Sequence, residues 1–152
     1  MASKIQKYAT KSQLLDVKIK LGDEVFTFNL NEELAITEER IQTELLVQAS
    51  SYAFVGMLYK KLLAVIEDRK LEATKAKAKC YLWWKGETND VGKPYSDDYC
   101  WCQADVDKEY VAALEALNEA KEKANVLEVC VKAFEERKDL IQTVSANNRK
   151  QI

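Results

Sequence analysis

Apolar residues in the stretch 37–86 return alternately four and three positions apart: Ile41, Leu45, Gln48, Tyr52, Val55, Tyr59, Leu62, Ile66, Arg69, Ala73, Ala76, Cys80 and Trp83. Only Gln48 and Arg69 interrupt the series. A mean spacing of 3.5 keeps one stripe of a helix turned towards a partner, the pattern of a coiled-coil seam. Gly86, without a Cβ, is the natural stop for this helix. At 1.5 Å per residue the helix is ~73 Å long, too long to be stable without a cover. A second series starts near Ala104 and runs to about Ser145: Val106, Tyr110, Ala113, Leu117, Ala120, Ala124, Leu127, Val131, Phe134, Lys138 and Ile141. The polar segment 87–98 holds Asn89-Asp90, Gly92 and Lys93-Pro94, so it reads as the loop between two arms. The arms are of similar length, which predicts an antiparallel helical hairpin ~60 Å long.

Ahead of the helices the period changes to two. Leu15, Val17, Ile19 and Leu21 alternate with Asp16, Lys18 and Lys20, and Phe26, Phe28 and Leu30 mark one face of the next run. Gly22-Asp23 lies between them, a two-residue turn suited to a type II′ or I′ β-hairpin. A lone hairpin is marginal in water, so its apolar face must rest on a helix or on another subunit's hairpin. Asn31 and Thr37 are each followed by two glutamates, and either can cap the first helix. Residues 1–13 show no periodicity and read as a loose arm. The fold expected is therefore mainly α: a long, coiled-coil-like antiparallel helical hairpin over 37–152, with an arm and a small β-hairpin over 1–36. Val126, Cys130, Ala133, Leu140 and Val144 add a second apolar stripe to the second helix. Two stripes exceed what one partner can bury, which implies a homo-oligomer. Ala49, Ala53 and Gly56 would let another backbone approach closely, as tight bundle packing does.

Charge changes the picture more than composition does. The formal net charge is -2, but residues 60–85 hold eight bases against three acids, and 105–145 hold ten acids against six bases. The distal half of the first helix is basic and the second helix is acidic. A near-neutral total excludes a simple histone-like binder yet leaves room for a local anion-binding surface. The N-terminus has no apolar signal core, and the longest uncharged run, 45–59, is short of the ~20 residues a membrane span needs. A cytoplasmic protein without a membrane segment is expected.

Catalytic signatures are absent. The chain has no histidine, and no GxSxG, P-loop or GxGxxG string occurs, so neither an enzyme nor a cofactor is expected. Cys100 and Cys102 form C-x-C, not the C-x2-C of structural zinc sites, and Cys130 is too far along the second helix to join them. Cys80 and Cys100 could approach at the loop end. Asp97-Asp98 and Asp105-x-Asp107 suit capping better than metal binding at a helix start. The candidate site is the run from Lys70 to Lys85. Lys75, Lys77 and Lys79, with Lys70 and Lys85, surround the seam, and Tyr81, Trp83 and Trp84 follow. Lysines for phosphates and aromatic faces for bases are what single-stranded nucleic acid needs. A plainer reading has the lysines solvating a long helix and the tryptophans closing the core at the loop. On the residues alone the two readings balance. Trp83, on the seam, is expected in the core, and Trp84, off it, is expected to stack.

The Lys-Ala-Lys run closing in aromatics and glycine (KAKAK, then CYLWWKG), the polar loop and the Asp-rich start of the second helix resemble the phage recombination mediator (UvsY-type) family. The stretch ALNEAKEKANVLEVCVKAFEERKDLIQ is similar to that family's second helix. The resemblance covers about Ser51 to the C-terminus. It implies single-stranded DNA binding on Lys75, Lys77 and Lys79, a recombinase and a single-strand-binding protein as partners, and a bacterial host cytoplasm. The hairpin over 15–30 has no counterpart in that pattern. The alternative from the residues is a structural or adaptor coiled-coil protein, a chaperone or phage assembly factor, that binds protein partners.

Overall fold

A positive φ at Gly22 and not at Asp23 gives the hairpin its type II′ turn. The strands it joins, β1 (Asp16–Leu21) and β2 (Glu24–Asn29), pair antiparallel with Leu21 opposite Glu24. The computed structural model describes residues 16–35 and 41–150 of the chain. Leu15, the capping role of Thr37 and the arm over 1–13 lie outside the described residues. Four helices follow: α1 (Leu30–Leu34), α2 (Ile41–Gly86), α3 (Asp97–Asp105) and α4 (Lys108–Lys150). The protein is mainly helical, with two long packed helices, α2 and α4, and a small N-terminal antiparallel β-hairpin.

Asn31, expected as a possible cap of the long helix, lies instead inside a separate short helix, α1, which Asn29 caps. The extended backbone of Asn29 ends β2, its side chain accepts from the Glu32 N–H at 3.1 Å, and its amide donates to Asp16 at 2.6 Å. One residue thus closes the sheet and starts the helix, and Glu32 and Glu33 sit in the first turn, where the helix dipole favours acids. Helix α3 is also new: the segment expected as loop to Asp98 and helix from Ala104 is instead a separate helix capped by Ser96, whose oxygen accepts from the Tyr99 N–H. Asp107 then accepts from the Glu109 and Tyr110 N–H groups and opens α4.

The chain divides into two compact units, Met1–Lys61 with Lys123–Ile152, and Leu62–Glu122. In the first, Val17 and Ile19 of the hairpin are buried, as are Ile41, Val55 and Leu58 of α2 and Leu127, Cys130, Phe134 and Ile141 of α4. Phe26 meets Phe54 edge to face, with centroids 5.8 Å apart, so the hairpin's apolar face lies on α2. Gln48 is no break in the packing. It is buried, donates to the Phe134 carbonyl at 2.7 Å and accepts from Arg137. Arg137, only 4 % exposed, also binds Glu44 and the carbonyls of Leu34 and Ala35. The expected inward residue at this turn, Lys138, is exposed instead.

In the second unit Leu62, Ile66, Ala73, Ala76, Cys100, Ala104, Leu117 and Ala120 are buried. Arg69 is exposed and pairs with Glu72 one turn along α2 at 2.7 Å. Ala49 and Ala53 of the first unit are exposed, and a Cβ built on Gly56 meets nothing within 4 Å, so no backbone among the described residues uses these small residues for close approach. Leu46 and Met57 of α2, and Val126, Val129 and Leu140 of α4, are exposed. By length and composition alone, Thr43–Gly86 also contains an 18-residue window apolar enough to cross a membrane, a test that the core helix of a soluble protein passes equally.

The Arg137 network yields the first prediction. Arg137→Ala leaves Gln48, Glu44 and two carbonyls short of a donor, and urea unfolding should show a loss of ~3–5 kcal/mol. Arg137→Met with Glu44→Leu should recover part of that, because the charge partner goes too but the Leu34 and Ala35 carbonyls remain unpaired.

Candidate nucleic-acid interface

The expected site lies in the second unit, on the last turns of α2 and the α3–α4 segment packed against them. The helix is held there by ring contacts. Tyr81 stacks on Trp101 at 4.1 Å, and Trp84 meets Tyr95 and Tyr99 edge-on at 5.4 and 5.5 Å. Tyr95 and Tyr99 stack on each other at 4.5 Å. The loop that brings Tyr95 round is itself ordered. Asn89 accepts from the Val91 and Lys93 N–H groups, Thr88 pairs with Pro94, and Gly92 supplies the positive φ that the turn requires.

The two tryptophans have exchanged the roles expected of them. Trp84 is half-buried in the ring cluster, whereas Trp83 is 59 % exposed and meets Trp84 with the two rings perpendicular. The inward positions of α2 keep the seven-residue count as far as Ala76, which is buried, and leave it only in the last turns, where the rings of Tyr95 and Tyr99 take in Trp84 rather than Trp83.

Most of the lysines are engaged. Lys77 bonds Asp105 at 2.5 Å, and its ammonium lies 5.6 Å from the Trp101 ring centre and 5.3 Å from that of Tyr110. Lys79 pairs with Glu109 at 2.8 Å, Lys85 with Asp97 at 2.6 Å, and Lys70 with Glu67 at 2.6 Å. These bonds push the Lys77, Lys79 and Lys85 ammonium groups above their ordinary pKa, the hydrogen bond to each acid being the main cause. Asp97 also accepts from the Tyr81 hydroxyl at 3.0 Å. The Lys85 bond, then the Tyr81 bond, holds its carboxyl below the usual aspartate range. The basic run of α2 and the acids of α3 and α4 are therefore partners. Lys75 is exposed and has no ion pair among the described residues.

Lys75, Lys79 and Trp83 follow at four-residue steps and so stand in line on one outer face of α2. Trp101 and Tyr99 are also partly exposed, and neither stood out in the sequence pattern. The signal that could have found them was the three aromatics of 95–101, as many as in 81–84 across the loop. The acid pairs act in capping and ion pairing, and no group of three His, Cys, Asp or Glu among the described residues could hold a metal ion. The four cysteines are free, with Cys100 and Cys130 buried. Burial, chiefly, raises the pKa of the Cys80 and Cys130 thiols, which makes them poor nucleophiles. Comparison of the chain with protein-family models, with curated proteins and with solved structures gave no match.

The exchanged tryptophans can be tested by thermal melts. Trp84→Ala should loosen the loop end by on the order of 2 kcal/mol, less than the ~3–5 kcal/mol of a fully buried aromatic, while Trp83→Ala should change stability by no more than ~0.5 kcal/mol. Asp97 contributes stability above the ordinary aspartate pKa of ~3.9 and loses it as pH falls through its lower folded value. Acid titration followed by tryptophan fluorescence should therefore show a component below that range that Asp97→Asn lacks.

Proposed function

We propose that this protein is a homo-oligomeric, single-stranded-DNA-binding recombination mediator. It works without chemistry of its own, in a bacterial host cytoplasm, and hands DNA held by a single-strand-binding protein to a recombinase. The observation that carries the reading is the outward line of Lys75, Lys79 and Trp83 on α2. An exposed indole offers a face on which any base can stack, and lysines spaced along the same face can follow phosphates. The Lys79–Glu109 pair does not oppose this, because an exposed ion pair contributes little and a phosphate can replace the carboxylate. The resemblance of the KAKAK and CYLWWKG strings to UvsY-type mediators supports the same class. Exposed Leu46, Met57, Val126, Val129 and Leu140 support the oligomer.

A second reading, an adaptor that binds protein partners, is favoured by the engagement of Lys77, Lys79 and Lys85 with acids of the same unit. Fluorescent oligo-dT titrations at two salt concentrations separate the two. Lys75→Ala with Lys79→Ala should weaken binding and flatten its salt dependence by ~0.7 for each phosphate no longer neutralised. Trp83→Ala should weaken binding by ~1–3 kcal/mol with the salt slope unchanged, since stacking releases no counterions. If the double-lysine variant binds as tightly as the parent at both salts, the adaptor reading stands.

A further inference from the structure

The two edges of the small sheet are unlike. β1 carries Lys18 and Lys20 at exposed positions along its outer edge, the arrangement by which natural edge strands repel another strand. β2, Glu24–Asn29, has no lysine, proline or bulge, and its central residues are Val25, Phe26, Thr27 and Phe28. All four consecutive residues line a cleft of about 620 Å³, whose far wall includes Ser50, Ser51 and Phe54 of α2. Side chains alternate across a sheet, so a cleft lined by four consecutive residues of a strand runs along its edge rather than over one face. Among the described residues the sheet has two strands, and nothing pairs with this edge.

The backbone groups that face the cleft follow from the register. In a hairpin with a two-residue turn, the pair flanking the turn, Leu21 and Glu24, exchanges hydrogen bonds, and bonded and non-bonded pairs then alternate. Phe26 and Phe28 therefore bond to β1, while Val25 and Thr27 turn their N–H and C=O groups outwards. Two exposed donors and two exposed acceptors, two residues apart, can bond to a copy of themselves. In an antiparallel arrangement about a two-fold axis, Val25 faces Thr27 of the second copy and Phe26 faces Phe26. Glu24 then faces Phe28, so no like charges oppose each other. A pair made through β1 would instead bring lysines against lysines.

We propose that the outer edge of β2 is a self-association surface, where β2 of a second copy pairs antiparallel in the cleft and joins two hairpins into one four-stranded sheet. The inference rests on the homo-oligomeric part of the proposed function and is independent of DNA binding.

The test compares two proline variants of the full chain, each removing one outward N–H. Proline is tolerated at an edge position whose N–H is unbonded, so both should keep the hairpin. Mass is measured by light scattering across a dilution series, with circular dichroism and melting as controls. Thr27→Pro should halve the mass of the parent assembly or shift its dissociation to at least tenfold higher concentration, and Lys18→Pro should leave it unchanged. Should Thr27→Pro fail to fold, the pair Val25→Lys with Thr27→Lys, both at exposed positions, gives the same reading without touching the backbone. A folded Thr27→Pro or double-lysine variant with the parent's mass overturns the proposal and leaves the oligomer itself standing. Equal loss in Lys18→Pro and Thr27→Pro also overturns it, because the hairpin as a whole and not this edge would be responsible. A parent that is monomeric at every concentration overturns both this inference and the oligomer, and oligo-dT binding then decides the DNA reading separately.

Discussion

Arg137 is the constraint on which the first unit depends. A guanidinium taken out of water is tolerated only where every donor finds an acceptor, since an unpaired buried charge costs several kcal/mol. The acceptors come from three places in the chain: the Leu34 and Ala35 carbonyls at the end of α1, Glu44 and Gln48 on α2. A helix leaves its last carbonyls without intrahelical partners. Arg137 supplies partners for two of them and thereby fixes where the segment after the hairpin meets α4. Gln48 extends the network by donating to the Phe134 carbonyl. Hydrophobic contact alone would allow these helices to slide by a turn. A set of directional bonds to one charged group does not.

The second unit is set by a different balance, between aromatic packing and exposed ion pairs. Trp84, Tyr95 and Tyr99 form a ring cluster around the loop, and Tyr81 and Trp101 stack beside it. The lysines that the sequence offers to a nucleic acid mostly face acids of α3 and α4. Lys77 is the most committed of them, because it lies over two rings as well as against Asp105. Lys75 and Lys79 differ in standing on the outer face with Trp83. A ligand that reached this face would meet one unpaired cation, one exchangeable cation and one bare indole.

How much of this was legible in the sequence depends on the periodicity involved. The strands, their turn and their register are all present in the alternation 16–29, because a period of two permits only two faces and the Gly22-Asp23 turn selects between them. The two long helices and the loop between them are equally plain. The caps were harder. Asn29, Ser96 and Asp107 lie next to other residues that could cap as well, and only the local backbone path decides which side chain reaches a free N–H.

The inward residue at each turn is where sequence and tertiary structure part. Seven-residue counting places Ile41, Gln48, Val55, Leu62 and Ala76 inside, and they are buried. The count fails only beyond Ala76, where the rings of Tyr95 and Tyr99 meet Trp84 and leave Trp83 outside. Trp84 therefore joins the ring cluster, half-buried, and Trp83 stays largely in water, although neighbouring tryptophans are indistinguishable as letters. Arg137 and Lys138 pose the same choice, and the acceptors of α1 and α2 settle it. The sequence alone determined that two amphipathic helices and a hairpin must bury their apolar faces, since that follows from which residues avoid water. Which of two adjacent like residues turns inward, and so which lysines and tryptophan remain for a ligand, was decided only when the helices met.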